Sequence, residues 1–160
     1  MKSVGIAVLA SLALTGCIIG GGANGGGPVA IGTPVNGSIG FGTQRLVIPG
    51  RSATTTYRSD TWTVPLTMGQ PVTLLMCRTG TVSFDPYLSI TGPAGAMDDV
   101  HTNDDGAGSL NSRIVFTPAS TGTYTIYATT FSTFESNSSA SGAYRLSVVA
   151  GEMPTATCPN

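Results

Sequence analysis

Charge is scarce in this chain. Asp, Glu, Lys and Arg make up 9% of its 160 residues, far below the usual quarter, and the formal net charge is −1. A surface so poor in cations cannot track a run of phosphates, which argues against nucleic acid as a partner. His101 is the only histidine, so a Ser/His/Asp triad would rest on it alone. The Gly-x-Ser-x-Gly elbow that presents a nucleophilic serine is absent, as are the Asp-Thr-Gly and Asp-Ser-Gly motifs of aspartic proteases. No stretch reaches the roughly 20 apolar residues that a spanning helix needs, and no segment sustains a 3.6-residue apolar period.

What is present is abundant Gly, Ser and Thr, in a length that suits one domain with its own core. The opening "MKSVGIAVLASLALTGC" has a basic start at Lys2, an apolar run from Val4 to Leu14 and small residues before Cys17. That pattern fits a secretory signal. Leu14-Thr15-Gly16-Cys17 resembles the bacterial lipoprotein signal, the lipobox. The resemblance implies that residues 1–16 are a signal peptide cleaved before Cys17, whose sulfur then carries lipid. Two or three acyl chains, at about 0.8 kcal/mol per buried methylene, would hold the chain at a membrane. Ile18 in place of Asp points to the outer membrane.

Residues 17–33 read as a glycine-rich tether. A flexible coil of that length spans on the order of 20 Å. Cys77 and Cys158 remain once Cys17 is committed to lipid. Export makes a disulfide their natural reading, with two separate buried thiols as the alternative. A metal site is not supported by two distant cysteines and one histidine.

From residue 34 to residue 150 the pattern has period two. "DTWTVPL" sets Trp62, Val64 and Leu66 on one face, and "QPVTLLMC" does the same with Val72, Leu74 and Met76. "FDPYLSI" places Phe84, Leu88 and Ile90 opposite Asp85, Tyr87 and Ser89, while "SRIVFTP" offers Ile114 and Phe116. "TGTYTIYATTF" alternates Tyr124, Ile126 and Ala128, and "SGAYRLSVV" alternates Tyr144, Leu146 and Val148. Further strands are expected near 35–39 and 44–48. Short alternating strands with Gly- and Pro-rich turns predict an all-β, antiparallel β-sandwich of about eight strands. Residues 151–160 follow as a tail, and 132–142 as a polar loop of the kind that often carries binding.

The ordered pieces Phe84-Asp85-Pro86-Tyr87-Leu88, Asn103-Asp104-Asp105-Gly106, Asn111-Ser112-Arg113-Ile114 and Thr121-Gly122-Thr123-Tyr124 resemble the bacterial pre-peptidase C-terminal (PPC) domain. The resemblance covers roughly residues 34–149. It implies a jelly-roll-like sandwich, similar to the collagen-binding domains of bacterial collagenases. It also implies a noncatalytic role in secretion, localisation or attachment, with calcium bound by some members. The chain shows no peptidase ahead of this domain, so any partner would be a separate molecule.

Five of the eight acids (Asp85, Asp98, Asp99, Asp104 and Asp105) fall within residues 84–110. Three readings compete for them. Asp85, Asn103, Asp104 and Asp105 would offer hard oxygen ligands to calcium if they met at one end of the sandwich, although "NDDGAG" is not an EF-hand loop. They would alternatively serve as turn hardware, with Asp85 capping a facing loop or pairing with Arg113. Asp98 and Asp99 then read as the solvated tip of a hairpin, and His101 as a solvated side chain. A minimal hydrolase would require the acids and His101 to converge. Among the aromatics, Tyr57, Tyr87 and Tyr127 are candidates for a binding face. The expected function is a noncatalytic, lipid-anchored envelope domain that binds extracellular protein or polysaccharide. The alternative is a structural envelope lipoprotein without ligand.

Overall fold

A computed structural model describes residues 25–80, 84–93, 99–132 and 141–159. The signal segment, Cys17, Asp98 and most of the 132–142 loop lie outside the described residues. Among the described residues ten strands run in chain order: β1 (Gly26–Pro28), β2 (Val35–Ile39), β3 (Arg45–Val47), β4 (Thr56–Leu66), β5 (Val72–Thr79), β6 (Pro86–Thr91), β7 (Val100–Asn103), β8 (Ser112–Phe116), β9 (Gly122–Thr130) and β10 (Gly142–Ala150). Among the described residues every regular element is a strand.

Two sheets stack. One has the order β1-β4-β9-β6-β7, with β3 also paired to β4, and the other has the order β2-β10-β5-β8. Most connections cross from one sheet to the other, which makes the fold a β-sandwich. All pairs are antiparallel except β1 with β4.

The alternation explains the packing. Trp62, Val64 and Leu66 of β4, Leu88 and Ile90 of β6, and Tyr124, Ile126 and Ala128 of β9 face inward from the first sheet. Val72, Leu74, Met76, Ile114, Phe116, Tyr144, Leu146 and Val148 meet them from the second. Burial of these side chains, at about 25 cal/mol per Å² of apolar surface, is the main force holding the layers together.

Cys77, on β5, is bonded to Cys158 in the tail across 81 residues of sequence. Closing such a loop restricts the unfolded chain by up to about 4–5 kcal/mol. The tail is pinned further where Arg113 Nη1 donates to the Ala156 carbonyl at 2.6 Å and the Met153 amide donates to Thr73 Oγ1 at 2.8 Å.

Two strands depart from the sequence expectation. β7 is only four residues long at a sheet edge, too short to display an alternation. β1 lies inside the stretch read as a tether. Gly26 and Gly27 have no side chains to form a pattern, and β1 is held through its backbone register to Thr61, Trp62 and Thr63.

One glycine is dictated by a close approach across the seam. A Cβ at Gly37 would collide with the ring and hydroxyl of Tyr144, which is fully buried. Gly37→Ala should therefore lower the unfolding free energy by about 1–3 kcal/mol in a urea titration, the usual cost of overpacking a fixed core.

Candidate binding site

The acid-rich rim is built largely as turn hardware. Asn103 ends β7, and its Oδ1 accepts from the amides of Gly106 (2.7 Å) and Arg113 (2.9 Å). That oxygen is committed to the backbone. Ser112 Oγ donates to the carbonyls of Pro86 (2.9 Å) and Asp104 (3.1 Å), tying the loop to the start of β6. Asp85, Asp104 and Asp105 come close enough to interact. Burial first, then the charges of Asp105 and Asp104, push the Asp85 carboxyl above its ordinary range, with Arg78 and Arg51 opposing. Asp85 Oδ1 is buried without a hydrogen-bond partner. The cations that act on Asp85 are Arg78 and Arg51, while Arg113 directs its Nη1 to the tail. Among the described residues no group of three or more His, Cys, Asp or Glu side chains is arranged to hold a metal ion.

Asp99 is not a solvated tip. It is buried beneath the β7 edge, where Oδ2 accepts from Tyr124 Oη at 2.6 Å and from the Ala119 amide at 3.3 Å. Its Oδ1 lies 2.9 Å from His101 Nε2. Burial would raise its pKa, but the bonds from Tyr124, His101 and Ala119 hold it below the ordinary value. His101 is likewise not merely solvated, because its ring stacks on Phe116 with centroids 4.5 Å apart. The carboxylate that His101 meets is Asp99, and the convergence a hydrolase would need with Asp85, Asp104 and Asp105 is not found among the described residues.

The tyrosine face is covered. Tyr57 and Tyr87 point away from the seam, as the alternation requires, yet both are buried. The segment between β3 and β4 folds across them. Ser89 Oγ donates to the Pro49 carbonyl at 2.7 Å, and Arg51 lies 3.7 Å from the Tyr57 ring centroid and 4.3 Å from that of Tyr87. Arg51 is locked there by donating to the carbonyls of Thr130 and Phe131. Guanidinium–π contact and two charge-assisted bonds make this a structural clasp. Tyr127 alone of the three remains partly exposed.

A different constellation emerges at β4. Asp60 shares the inward face with Trp62, Val64 and Leu66, and it is 1% exposed. Trp62 Nε1 donates to Tyr144 Oη at 2.9 Å, and Tyr144 Oη donates to Asp60 Oδ2 at 2.5 Å. This chain of bonds joins the two sheets. The amide of Ser38 lies near enough to favour the carboxylate, yet Oδ1 has no satisfying partner. Burial dominates, and the Asp60 carboxyl is pushed up to about 6. The Tyr144 hydroxyl is raised as well, first by burial and then by the Asp60 charge.

Beside Asp60 runs a cleft of about 320 Å³, lined by Gly25–Gly27 of the β1 segment, Gly42, Gln44, Ser59, Asp60 and Thr61. The glycines have a steric reason. A Cβ at Gly25 would overlap the Asp60 carboxylate. At the turn that supplies Gly42, the Phe41 ring is 90% exposed. The signal for this site was the alternation itself, since the face that carries Trp62 also carries Asp60.

No protein-family model matches the chain, and no curated protein matches it. Solved structures do. The pre-peptidase C-terminal domain of a Bacillus anthracis collagenase aligns with a TM-score of 0.51 at 14% identity, over 77% of this chain and 93% of that one. The fold is PPC-like. CorA of Methylomicrobium album BG8, a surface-associated copper-binding protein, aligns at 0.50 with 13% identity, over 81% of this chain and all of that one. A periplasmic inhibitor of g-type lysozyme from Aeromonas hydrophila aligns at 0.48 with 14% identity, over 81% of this chain and all of that one.

The raised pKa of Asp60 sets a direction for stability. The folded state prefers the protonated acid, so stability is gained as pH falls from about 6 toward the unfolded value near 3.8. A shift of that size corresponds to about 3 kcal/mol. Asp60→Asn should raise the unfolding free energy at pH 7 by about 2–3 kcal/mol. It should also flatten the rise that the wild-type chain shows between pH 7 and 4.5, as read by urea denaturation at each pH.

Proposed function

We propose that the chain is a noncatalytic binding domain of the bacterial cell envelope. It is anchored by lipid on Cys17, set off from the outer membrane by its glycine-rich segment, and holds extracellular protein or polysaccharide. The observation that carries this reading is the pairing of a polar cleft with the exposed Phe41 ring beside it. An aromatic anchor next to a concave polar site suits recognition by contact area and a few placed polar groups. The single histidine is engaged with Asp99, and Asp99 in turn with Tyr124, an arrangement that braces β7. The PPC-like fold and the likeness to a surface-associated protein support the same reading.

Calcium at the acid rim is a second reading, favoured by the orphaned, buried Oδ1 of Asp85 near two further carboxylates. Asp85, Asp104 and Asp105 are not gathered as ligands in the structure, so they would have to close around the ion as it binds. Asn103 Oδ1 is already occupied by two amides, which leaves it out of the set first expected.

Two measurements test these readings. In pull-downs against collagen, peptidoglycan and cell-surface glycans, the purified chain should be retained on at least one, and Phe41→Ala should reduce retention without changing the melting temperature. Retention on none favours the purely structural lipoprotein. For calcium, binding to the folded state alone raises stability by mass action. Millimolar calcium should then raise the melting temperature by a few degrees relative to EDTA, and Asp85→Asn should abolish the difference. Identical melting in both conditions eliminates the metal.

A further inference from the structure

We propose that the cleft at Asp60 receives a single organic cation, the ammonium or guanidinium of a lysine or arginine side chain on a protein partner. The proposal rests on the binding-domain reading and specifies the chemistry that one of its sites would recognise.

Asp60 carries an unmet valence. A buried carboxylate oxygen without a donor is costly, and the group that would relieve it is a hydrogen-bond donor, best a charged one. Oδ1 of Asp60 is such an oxygen. The Ser38 amide favours the carboxylate without satisfying Oδ1, and the two side chains beside it cannot turn to serve it. Tyr144 has one proton, given to Oδ2, and its oxygen already accepts from Trp62. Trp62 has one N–H, given to Tyr144. The chain of bonds fixes Oδ2 and leaves Oδ1, buried beside the cleft, without a donor.

The cleft walls decide the sign of the ligand. Among the described residues that line it, Asp60 is the only charged one; the rest are glycine, serine, threonine and glutamine. An anion would meet a lone carboxylate, whereas a cation would be neutralised by it. The hydroxyls of Ser59 and Thr61, the Gln44 side chain and the glycine carbonyls supply neutral acceptors for the remaining N–H groups of an ammonium or guanidinium. Ser59 spends its proton on backbone carbonyls, at 3.1 Å to Asp60 and 3.3 Å to Ala128, so its oxygen is left to accept.

Size and the lip favour a side chain. A volume of about 320 Å³ is at the small end of ligand clefts and has room for a lysine or arginine side chain. Phe41 precedes the lining residue Gly42, and its exposed ring offers an apolar platform for the methylenes of lysine or arginine. The charged groups to reckon with are few. Tyr144 reaches Asp60 from β10. Arg58, two residues earlier on β4, carries its guanidinium 5.4 Å from the Phe41 ring centroid and is the like charge that an incoming cation meets at the lip.

The chain has its own reporter, because Trp62 is the only tryptophan and its indole N–H is coupled to Asp60 through Tyr144. Titrating the ¹⁵N-labelled chain with n-butylammonium or methylguanidinium at pH 7.5 should move the Trp62 indole signal saturably. The neutral probe n-butanol should not move it. Asp60→Asn keeps the acceptor for Tyr144 and should weaken cation binding by about tenfold or more. Phe41→Ala, at an exposed position, should weaken butylammonium several-fold with the melting temperature unchanged. An indole signal that does not saturate, or an affinity equal in wild-type and Asp60→Asn chains, overturns the proposal. If Asp60→Asn loses the small cations but keeps retention on a surface ligand, the cation site stands and that ligand binds elsewhere. If retention is absent while cation binding is intact, the binding-domain reading fails and the site stands without it.

Discussion

The seam between the two sheets must exclude water, and at Asp60 it holds a carboxylate. Every other inward position of β4 from Trp62 to Leu66 is apolar. A charge in that row is tolerable because Tyr144, itself held by Trp62, donates to it from the opposite layer, and because its pKa has moved toward neutrality. The same residue explains the close approach of β2, where Gly37 must clear Tyr144, and of β1, where Gly25 must clear the carboxylate. An element that looks like a spacer in sequence is thereby a wall of the cleft.

The core was legible because burial and pleat share one period. Trp62, Leu74, Leu88, Ile114, Tyr124 and Leu146 all sit where alternation puts them. Asp60 could be placed inward by the same rule. Its partners could not, since Tyr144 lies 84 residues away and pairs with it only after the sheets stack. β1 was hidden because glycine carries no hydropathy signal. The tyrosine face failed for another reason. Alternation correctly turned Tyr57 and Tyr87 outward, but it says nothing about a loop that folds back, and Arg51 closes that face. Asp99 was misplaced because its acceptors serve Tyr124 and Ala119, 25 and 20 residues further on.

The carboxyl groups thus divide by environment. Asp99 is held ionised by three donors and braces an edge strand. Asp85 is raised by burial and by its acidic neighbours at the rim. Among the described carboxyl groups, Asp60 combines deep burial, an acceptor without a donor and an adjoining cleft. Such a combination of a perturbed acid and a cavity is a recurrent mark of functional sites. The PPC-like scaffold supplies rigidity to it through the cross-sheet bonds, and the glycine edge supplies access.

The most direct measurement is the ionisation of Asp60 itself, followed by the carbon-13 resonance of its side-chain carboxyl across pH 3 to 8. The account predicts a midpoint near 6, moving together with the Trp62 indole signal. A midpoint near 4, as for a solvated aspartate, would mean that burial does not govern the carboxyl, and the account would be contradicted.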